Sequence, residues 1–474
     1  MRTRSFLLAA GLLASGLTPL ALATPAGAAV AKYADDFNGD GYRDLAVGAP
    51  GTDVGSASSA GAVVVLYGSK SGVSAANRSV ITQNTSGVAG SAEDQDSFGA
   101  SLASADFNKD GYADLAVGAT GEGLGGRSYV GQVTILWGGK KGLSGGTALP
   151  QPAKIAAERG YGQGLAAADF NGDGSPDLTV TGQAQTRLYN GPFKKSTGDA
   201  ASASYVGTVG STLDVGAGDI NGDKAAERVY TYATTSDPGG QVRYHTYTGT
   251  KTSVVDMPQA EGDGRVVVGD INGDGYGDLV LANPEDPANQ GGAGHLGGQL
   301  EIWYGGKGGP DLTQTPTVVS QDTAGVPGTG EEGDYFGGAL SIGDINGDTY
   351  ADLAVGAQNE GWNGKRYAGT VTVLYGSAAG LTTKGAKAYS QDTAGVPGTA
   401  ETQDGFGGAV RLIDLDKNGK AELVTAAPGE DAKGALFVLG GTASGLTTKG
   451  AKSISAANAG LKETAYSFGA QLAQ

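Results

Sequence analysis

The chain has 474 residues, 86 of them glycine and none cysteine, with a formal net charge of −17. An acidic chain offers no basic surface for nucleic acid, and without cysteine there is no disulfide framework and no thiol nucleophile. The glycines are too aperiodic for collagen, and the valine and leucine runs between them exclude wholesale disorder.

Residues 1–29 read as a secretory signal peptide. Arg2 and Arg4 form a basic start, Phe6 to Ala23 is mostly apolar, and Ala26-Gly27-Ala28 supplies small residues for cleavage. Gly11, Ser15, Gly16, Thr18 and Pro19 interrupt the apolar run too often for an anchor, and no later stretch is apolar enough to span a bilayer. The expected product is a secreted, extracellular or surface-associated monomer with no membrane span. Its net charge would be −19, since Arg2 and Arg4 leave with the leader.

An acidic loop follows at once: Asp36, Asn38, Asp40 and Asp44 place oxygen-bearing side chains at positions 1, 3, 5 and 9, with Gly41 at position 6. Oxygen ligands at this spacing, around a turn that glycine permits, select Ca²⁺ over softer metals. Six more loops repeat the pattern. They are Asp106, Asn108, Asp110 and Asp114; Asp169, Asn171, Asp173 and Asp177; and Asp219, Asn221, Asp223 and Glu227. Then come Asp270, Asn272, Asp274 and Asp278; Asp344, Asn346, Asp348 and Asp352; and Asp414, Asp416, Asn418 and Glu422. Thr349 and Lys224 stand where the other loops have glycine, and loop seven exchanges the order of Asp and Asn. A helix-loop-helix calcium hand is excluded, because position 12 is apolar (Val47, Val117) and the flanks are strand-like. The seven loops hold 21 of the 49 carboxylates, so seven calcium ions would bring the mature charge to about −5.

Between loops the grammar is constant. In the second unit the loop is followed by Asp114-Leu-Ala-Val-Gly-Ala119, a glycine-rich stretch, Gln132-Val-Thr-Ile-Leu-Trp137, a turn and a fourth extended segment. Apolar alternation cut by glycine turns is strand-like, and four strands per 50–74 residues is the period of a propeller blade. The third and fourth units (about 160–261) are short, the fifth and sixth carry long loops at 282–298 and 357–369, and the last two are near-copies. Phe98, Phe336 and Phe406 each lie eight residues before the first aspartate of their loop; the first unit lacks this strand, and Phe468-Gly at the far end supplies it. The expectation is an all-β, seven-bladed propeller over residues 30–474, closed by the C-terminal strand joining the N-terminal blade.

Phe-Gly followed by Asp-Phe-Asn-Gly-Asp-Gly-Tyr-Arg-Asp-Leu-Ala-Val-Gly-Ala-Pro (36–50) resembles the FG-GAP repeat, from which the N-terminal propeller of integrin α subunits is built. The resemblance implies calcium in the hairpin loops of certain blades. It also implies ligand binding on the opposite face, where loops between strands two and three and between blades emerge. On that face His295, Trp362, Lys365, Arg366 and Tyr367 are the candidate ligand-binding residues, against the plainer reading of ordinary loop packing. The acidic stretches Glu93–Asp96, Glu331–Asp334 and Glu401–Asp404 share it.

No catalytic constellation is visible: the two histidines, His245 and His295, fall on different blades, and no Gly-x-Ser-x-Gly elbow occurs. The reading is an extracellular binding or adhesion module for a protein or glycan, with several and at most seven Ca²⁺. The alternative is a calcium-dependent extracellular hydrolase or polysaccharide lyase on the same scaffold.

Overall fold

The computed structural model describes residues 31–474 except 152–158, 184, 208–210, 235–236, 248, 250, 262–263, 290–291 and 462–466. The leader at 1–29 therefore lies outside the described residues. Seven antiparallel sheets of four strands each follow one another round a ring, and the helical content among the described residues is two short 3₁₀ turns, Pro287–Asn289 and Glu430–Ala432. Blade 2 shows the pattern: Phe98–Ala105 innermost, then Asp114–Ala119, Gln132–Trp137 and Ser144–Ala148 outermost.

Blade 1 is assembled from both ends of the chain. Leu45–Ala49, Ala62–Leu66 and Arg78–Ile81 supply three strands, and Gln471–Leu472 pairs as the innermost, with Val47 opposite Leu472 and Gly48 opposite Gln471. The ring is closed as expected, and blade 1 has its fourth strand like the others.

Burial runs outward from the axis. The second strand of a blade packs on a neighbouring blade at each face, so Leu45–Ala49 and Asp352–Ala357 are buried at every residue and read as continuous apolar runs. The outermost strands alternate, as in Thr252–Met257, because one face meets solvent. The apolar cores lie between blades: Val63 and Val65 of blade 1 pack with Phe98, Leu115 and Val117 of blade 2. This layering makes each blade depend on its neighbours.

The Phe-Gly pair is the joint between blades. Phe98, Phe336, Phe406 and Phe468 are fully buried, and so is Tyr161, which takes the same place in blade 3. Each of these donates its backbone N–H to the strand 2–3 loop of the preceding blade, as Phe98 does to Ala60 O at 2.9 Å. The glycine after that acceptor must be bare: a Cβ on Gly61 or Gly369 would lie 2.2 Å from the oxygen of Phe98 or Phe406. The glycines of the Gly-Ala pairs meet the next joint likewise, since a Cβ on Gly48 would fall 2.2 Å from Gly99 O. At the axis, all seven inner strands line a cavity of about 360 Å³ into which Arg43, Arg265 and Arg411 project beside Asp214.

Candidate metal loops and ligand face

All seven acidic loops fold the same way. In each, the first aspartate accepts the N–H of the residue at position 6, from Gly41 at 2.9 Å in loop one to Gly419 at 2.9 Å in loop seven. In loop one Asn38 Oδ1 accepts Asp40 N–H at 2.8 Å, and Asp40 Oδ1 accepts Tyr42 N–H at 2.9 Å, wrapping the backbone round the side-chain oxygens. This wrapping needs left-handed backbone at position 6, and the substitutions there adopt it: Lys224 has φ 76° and Thr349 φ 77°, beside 83° for Gly41. The two departures therefore leave the loop shape intact at a local cost. Thr349→Gly and Lys224→Gly should each stabilise the fold by about 1 kcal/mol, read by urea denaturation; a loss of stability in either variant would contradict this.

The ninth residue ties the loop to its blade. Asp44 Oδ2 accepts Phe37 N–H and its Oδ1 accepts Gly68 N–H, both at 2.9 Å, which fixes the ends of three chain segments. Burial, followed by smaller effects of the neighbouring loop aspartates, pushes the Asp44 carboxyl up to about 8; the two N–H donors only partly counter it. Burial does the same to Asp114, up to about 8, and to Asp177 and Asp352, up to about 7. Anionic oxygens buried this deeply, beside further carboxylates, fit a bound cation. Asp114 Oδ2 is the sharpest instance, since it is buried with no hydrogen-bond donor.

The loops are not equal. In loop seven one oxygen each from Asp414, Asp416 and Glu422 lies within 4.8 Å of the others, so the exchange of Asp and Asn brings a third carboxylate to the centre. In loop four Glu227 Oε1 instead accepts Asn221 Nδ2 and Thr246 Oγ1, both at 2.7 Å. Loop four satisfies itself and fits an ion least. Adjacent loops are also linked through the main chain: position 8 of one donates to the carbonyl of the first aspartate of the loop before, as Ala113 N does to Asp36 O at 3.0 Å. The same bond joins Ala226 to Asp169, Gly277 to Asp219, Ala351 to Asp270 and Ala421 to Asp344.

On the opposite face the nominated residues do not form one cluster. Trp362, Lys365, Arg366 and Tyr367 share a hairpin tip, closed by paired backbone bonds between Trp362 and Lys365. His295 belongs to the loop of blade 5 and faces Asp322 at 3.6 Å, as Lys365 faces Asp392 at 3.6 Å in blade 6. The two aspartates, each following the glutamine after the outermost strand, are equivalent positions on neighbouring blades. Trp362 occupies the place held by Val54 and Leu124 in blades 1 and 2, where the same four-residue tip recurs, and its indole N–H is buried without a partner. Its place in the fold is that of a tip residue of the hairpin.

Sequence reasoning passed over Tyr129. Ser59, Tyr129 and Tyr367 are equivalent, all with positive φ (49°, 59° and 57°), and each carbonyl accepts an N–H from the next blade. The fold uses the backbone at this position and leaves the side chain partly exposed, Tyr129 by 44 % and Tyr367 by 39 %, with the Tyr129 hydroxyl donating to Gln95 Oε1 and the Tyr367 hydroxyl accepting from Arg366 at 3.3 Å. The signal was present as Arg127-Ser-Tyr129 against Lys365-Arg-Tyr367, two positions apart in tip register. The Arg366 guanidinium lies 5.2 Å from the Tyr367 ring centre. His245 is buried in blade 4 against Tyr230, and burial, with Arg228 and Arg243 adding to it, pushes it down to about 3, so it stays neutral.

The FG-GAP repeat family matches residues 33–66, 98–136, 264–296, 336–374 and 406–444. These stretches fall in blades 1, 2, 5, 6 and 7, and the two short blades lie between them. Phosphatidylinositol-glycan-specific phospholipase D of Rattus norvegicus is 37 % identical over 150 residues, 31 % of this chain and 17 % of that enzyme. Integrin alpha-V of Gallus gallus is 31 % identical over 192 residues, 38 % of this chain and 15 % of the integrin. Integrin alpha-IIb of Mus musculus is 30 % identical over 170 residues, 35 % of this chain and 14 % of the integrin. The matched region thus spans about a sixth of these relatives. Repeat, ring and partial relatives agree: the chain carries FG-GAP repeats and is homologous, over about a third of its length, to integrin alpha chains and to phosphatidylinositol-glycan-specific phospholipase D.

Proposed function

We propose that this protein is a secreted, calcium-loaded propeller that binds a protein or glycan outside the cell. The observation that carries the calcium reading is the cradle shared by all seven loops, in which the first aspartate is fixed by the N–H at position 6. In this reading the first, third, fifth and ninth side chains hold the ion. Its contribution is to neutralise the buried carboxylates and stiffen the hairpins, so that the opposite face is presented on a rigid ring.

The binding surface in this reading is the face carrying Tyr129, Leu296, Arg366 and Tyr367. Its two tyrosines sit on tight, equivalent tips whose backbone is already committed to the fold, leaving partly exposed rings, held by Gln95 and Arg366, to stack on a sugar or anchor a protein. The test is a glycan and protein-ligand screen in calcium with the mature chain, followed by Tyr129→Ala and Tyr367→Ala. Each variant should weaken a saturable interaction about fivefold or more, at unchanged melting temperature. Retained affinity in both would move the ligand elsewhere, and turnover of a glycan would favour the enzyme.

A further inference from the structure

A second acidic arrangement recurs on the face opposite the loops. Gln83, Asp96 and Glu122 are separated by 13 and 26 residues, and so are Gln321, Asp334 and Glu360, and Gln391, Asp404 and Glu430. The glutamine leaves the outermost strand, the aspartate stands two residues before the Phe-Gly joint, and the glutamate opens the strand 2–3 loop of the next blade. Each set therefore spans a blade junction.

The chemistry inside the three is the same. Gln83 Nε2 donates to Glu122 Oε2 at 2.5 Å and Gln391 Nε2 to Glu430 Oε2 at 2.6 Å, and Gln321 bonds Glu360 in the same way. The aspartate beside them accepts a backbone N–H three residues back, as Asp96 Oδ2 does from Glu93 at 2.6 Å. Asp404 is within hydrogen-bond reach of Glu430, so two acids face each other there. The three aspartates are 1–3 % exposed.

The amide of each glutamine points to a missing ligand. Gln83, Gln321 and Gln391 are 3 %, 3 % and 1 % exposed, and in all three the Oε1 is buried with no donor. An orphaned buried carbonyl costs about 1–3 kcal/mol, and the same cost three times over at equivalent positions calls for a common partner. That partner must satisfy an amide oxygen and two carboxylates together, which a basic side chain or a water does poorly and a hard cation does well. Burial, then Asp96 and Glu93, pushes Glu122 up to about 7; burial, then Asp334 and Glu331, does so for Glu360. Without a positive partner these junctions hold buried repulsion.

We propose that the junctions between blades 1 and 2, 5 and 6, and 6 and 7 are a second series of calcium sites, each formed by one Gln, one Asp and one Glu. An ion there joins the last strand of one blade to the first and second strands of the next. The acid loops tie blades on one face; these sites tie them on the other. The proposal stands on its own residues and does not need the loops to be filled.

The test uses the full mature chain. Bound Ca²⁺ is counted by equilibrium dialysis for the parent and for Glu122→Gln/Glu360→Gln/Glu430→Gln, which removes charge but keeps size. The variant should bind three fewer ions, and its metal-free form should melt no lower than the parent's. An unchanged count overturns the proposal. Should the triple variant fail to fold, Tb³⁺ read through tryptophan excitation decides the single site: Trp362 is two residues from Glu360. The emission lost in Trp362→Phe should be lost equally in Glu360→Gln and kept in Asp278→Asn, a loop variant. Emission that survives Glu360→Gln overturns the proposal, whereas a dialysis count unchanged by Asp278→Asn would speak only against that loop.

Discussion

Chelating calcium should lower the melting temperature of the mature chain by about 10 °C or more at pH 8, and by clearly less at pH 5.5. The magnitude follows from mass action: a site held at a hundred times its dissociation constant contributes about 2.7 kcal/mol, and several sites act together on one cooperative ring. The pH dependence follows from the ninth loop residues. In the metal-free fold burial raises Asp44 and Asp114 to about 8, Asp177, Asp352 and Glu422 to about 7, and Asp278 to about 6. A carboxyl raised above its unfolded value binds more protons in the fold, so its stabilising effect is full below that value and lost as pH climbs through the folded one. The metal-free protein should therefore weaken between pH 5.5 and pH 8. The calcium-bound protein, with these groups anionic and paired, should not. Differential scanning calorimetry at both pH values, with calcium and with chelator, measures the four temperatures. Equal melting with and without chelator at pH 8 would sink the calcium reading of the loops.

Removing residues 468–474 should be the most damaging small deletion in the chain. It strips the inner strand of blade 1 from Leu45–Ala49, whose residues are all buried, and leaves an unpaired edge at the axis. It removes Phe468, fully buried in the core between blades 7 and 1. It also removes Gln474, whose Oε1 accepts Arg411 Nη1 at 3.1 Å and whose Nε2 donates to Val410 O at 3.2 Å. Phe468→Ala alone should cost about 3–5 kcal/mol, from lost transfer energy and the cavity left behind. The deletion should yield aggregates or a chain without a cooperative melt, assayed by size-exclusion chromatography and urea denaturation. A monomeric deletion variant with the parent's midpoint would mean that closure is not what holds the ring.

The ring was legible in the sequence because its determinants are local and repeated. Seven loops count seven blades, and Phe468-Gly without a following loop matches a first loop without a preceding Phe-Gly. What needed coordinates was every relation between blades. The collision that forbids a side chain at Gly369 is with the main chain of Phe406, and only the docked blades reveal it. His295 and Lys365 looked like partners in one site because their loops are adjacent, yet each faces an aspartate on the strand 4–1 loop of its own blade. Tyr129 was hidden for the reverse reason: its loop carries Leu124 and Gly125 where that of Tyr367 carries Trp362 and Asn363, so the pair is recognised by shared backbone rather than by sequence. The acidic stretches were visible as charge, but the buried oxygen of Gln391 is a property of packing.

One residue removes a main-chain link from this ring. Pro176 stands at position 8 of the third loop and has no N–H to offer the carbonyl of Asp106, so the main-chain link that joins five other pairs of loops cannot form there. Other contacts cross that seam: Phe193 stacks edge-on against Phe107 at 5.2 Å, its N–H reaches Phe107 O at 2.8 Å, as Gly139 N–H reaches Phe37 O at 3.0 Å between blades 1 and 2, and Lys109 Nζ meets Ser175 Oγ at 3.3 Å. Among the described residues the link is also not made between the seventh loop and the first, so it runs along two arcs, from the first loop to the second and from the third to the seventh. The two arcs meet only through side chains and other bonds: the Phe107–Phe193 contact bridges one gap, and Phe468, buried in the core between blades 7 and 1, bridges the other.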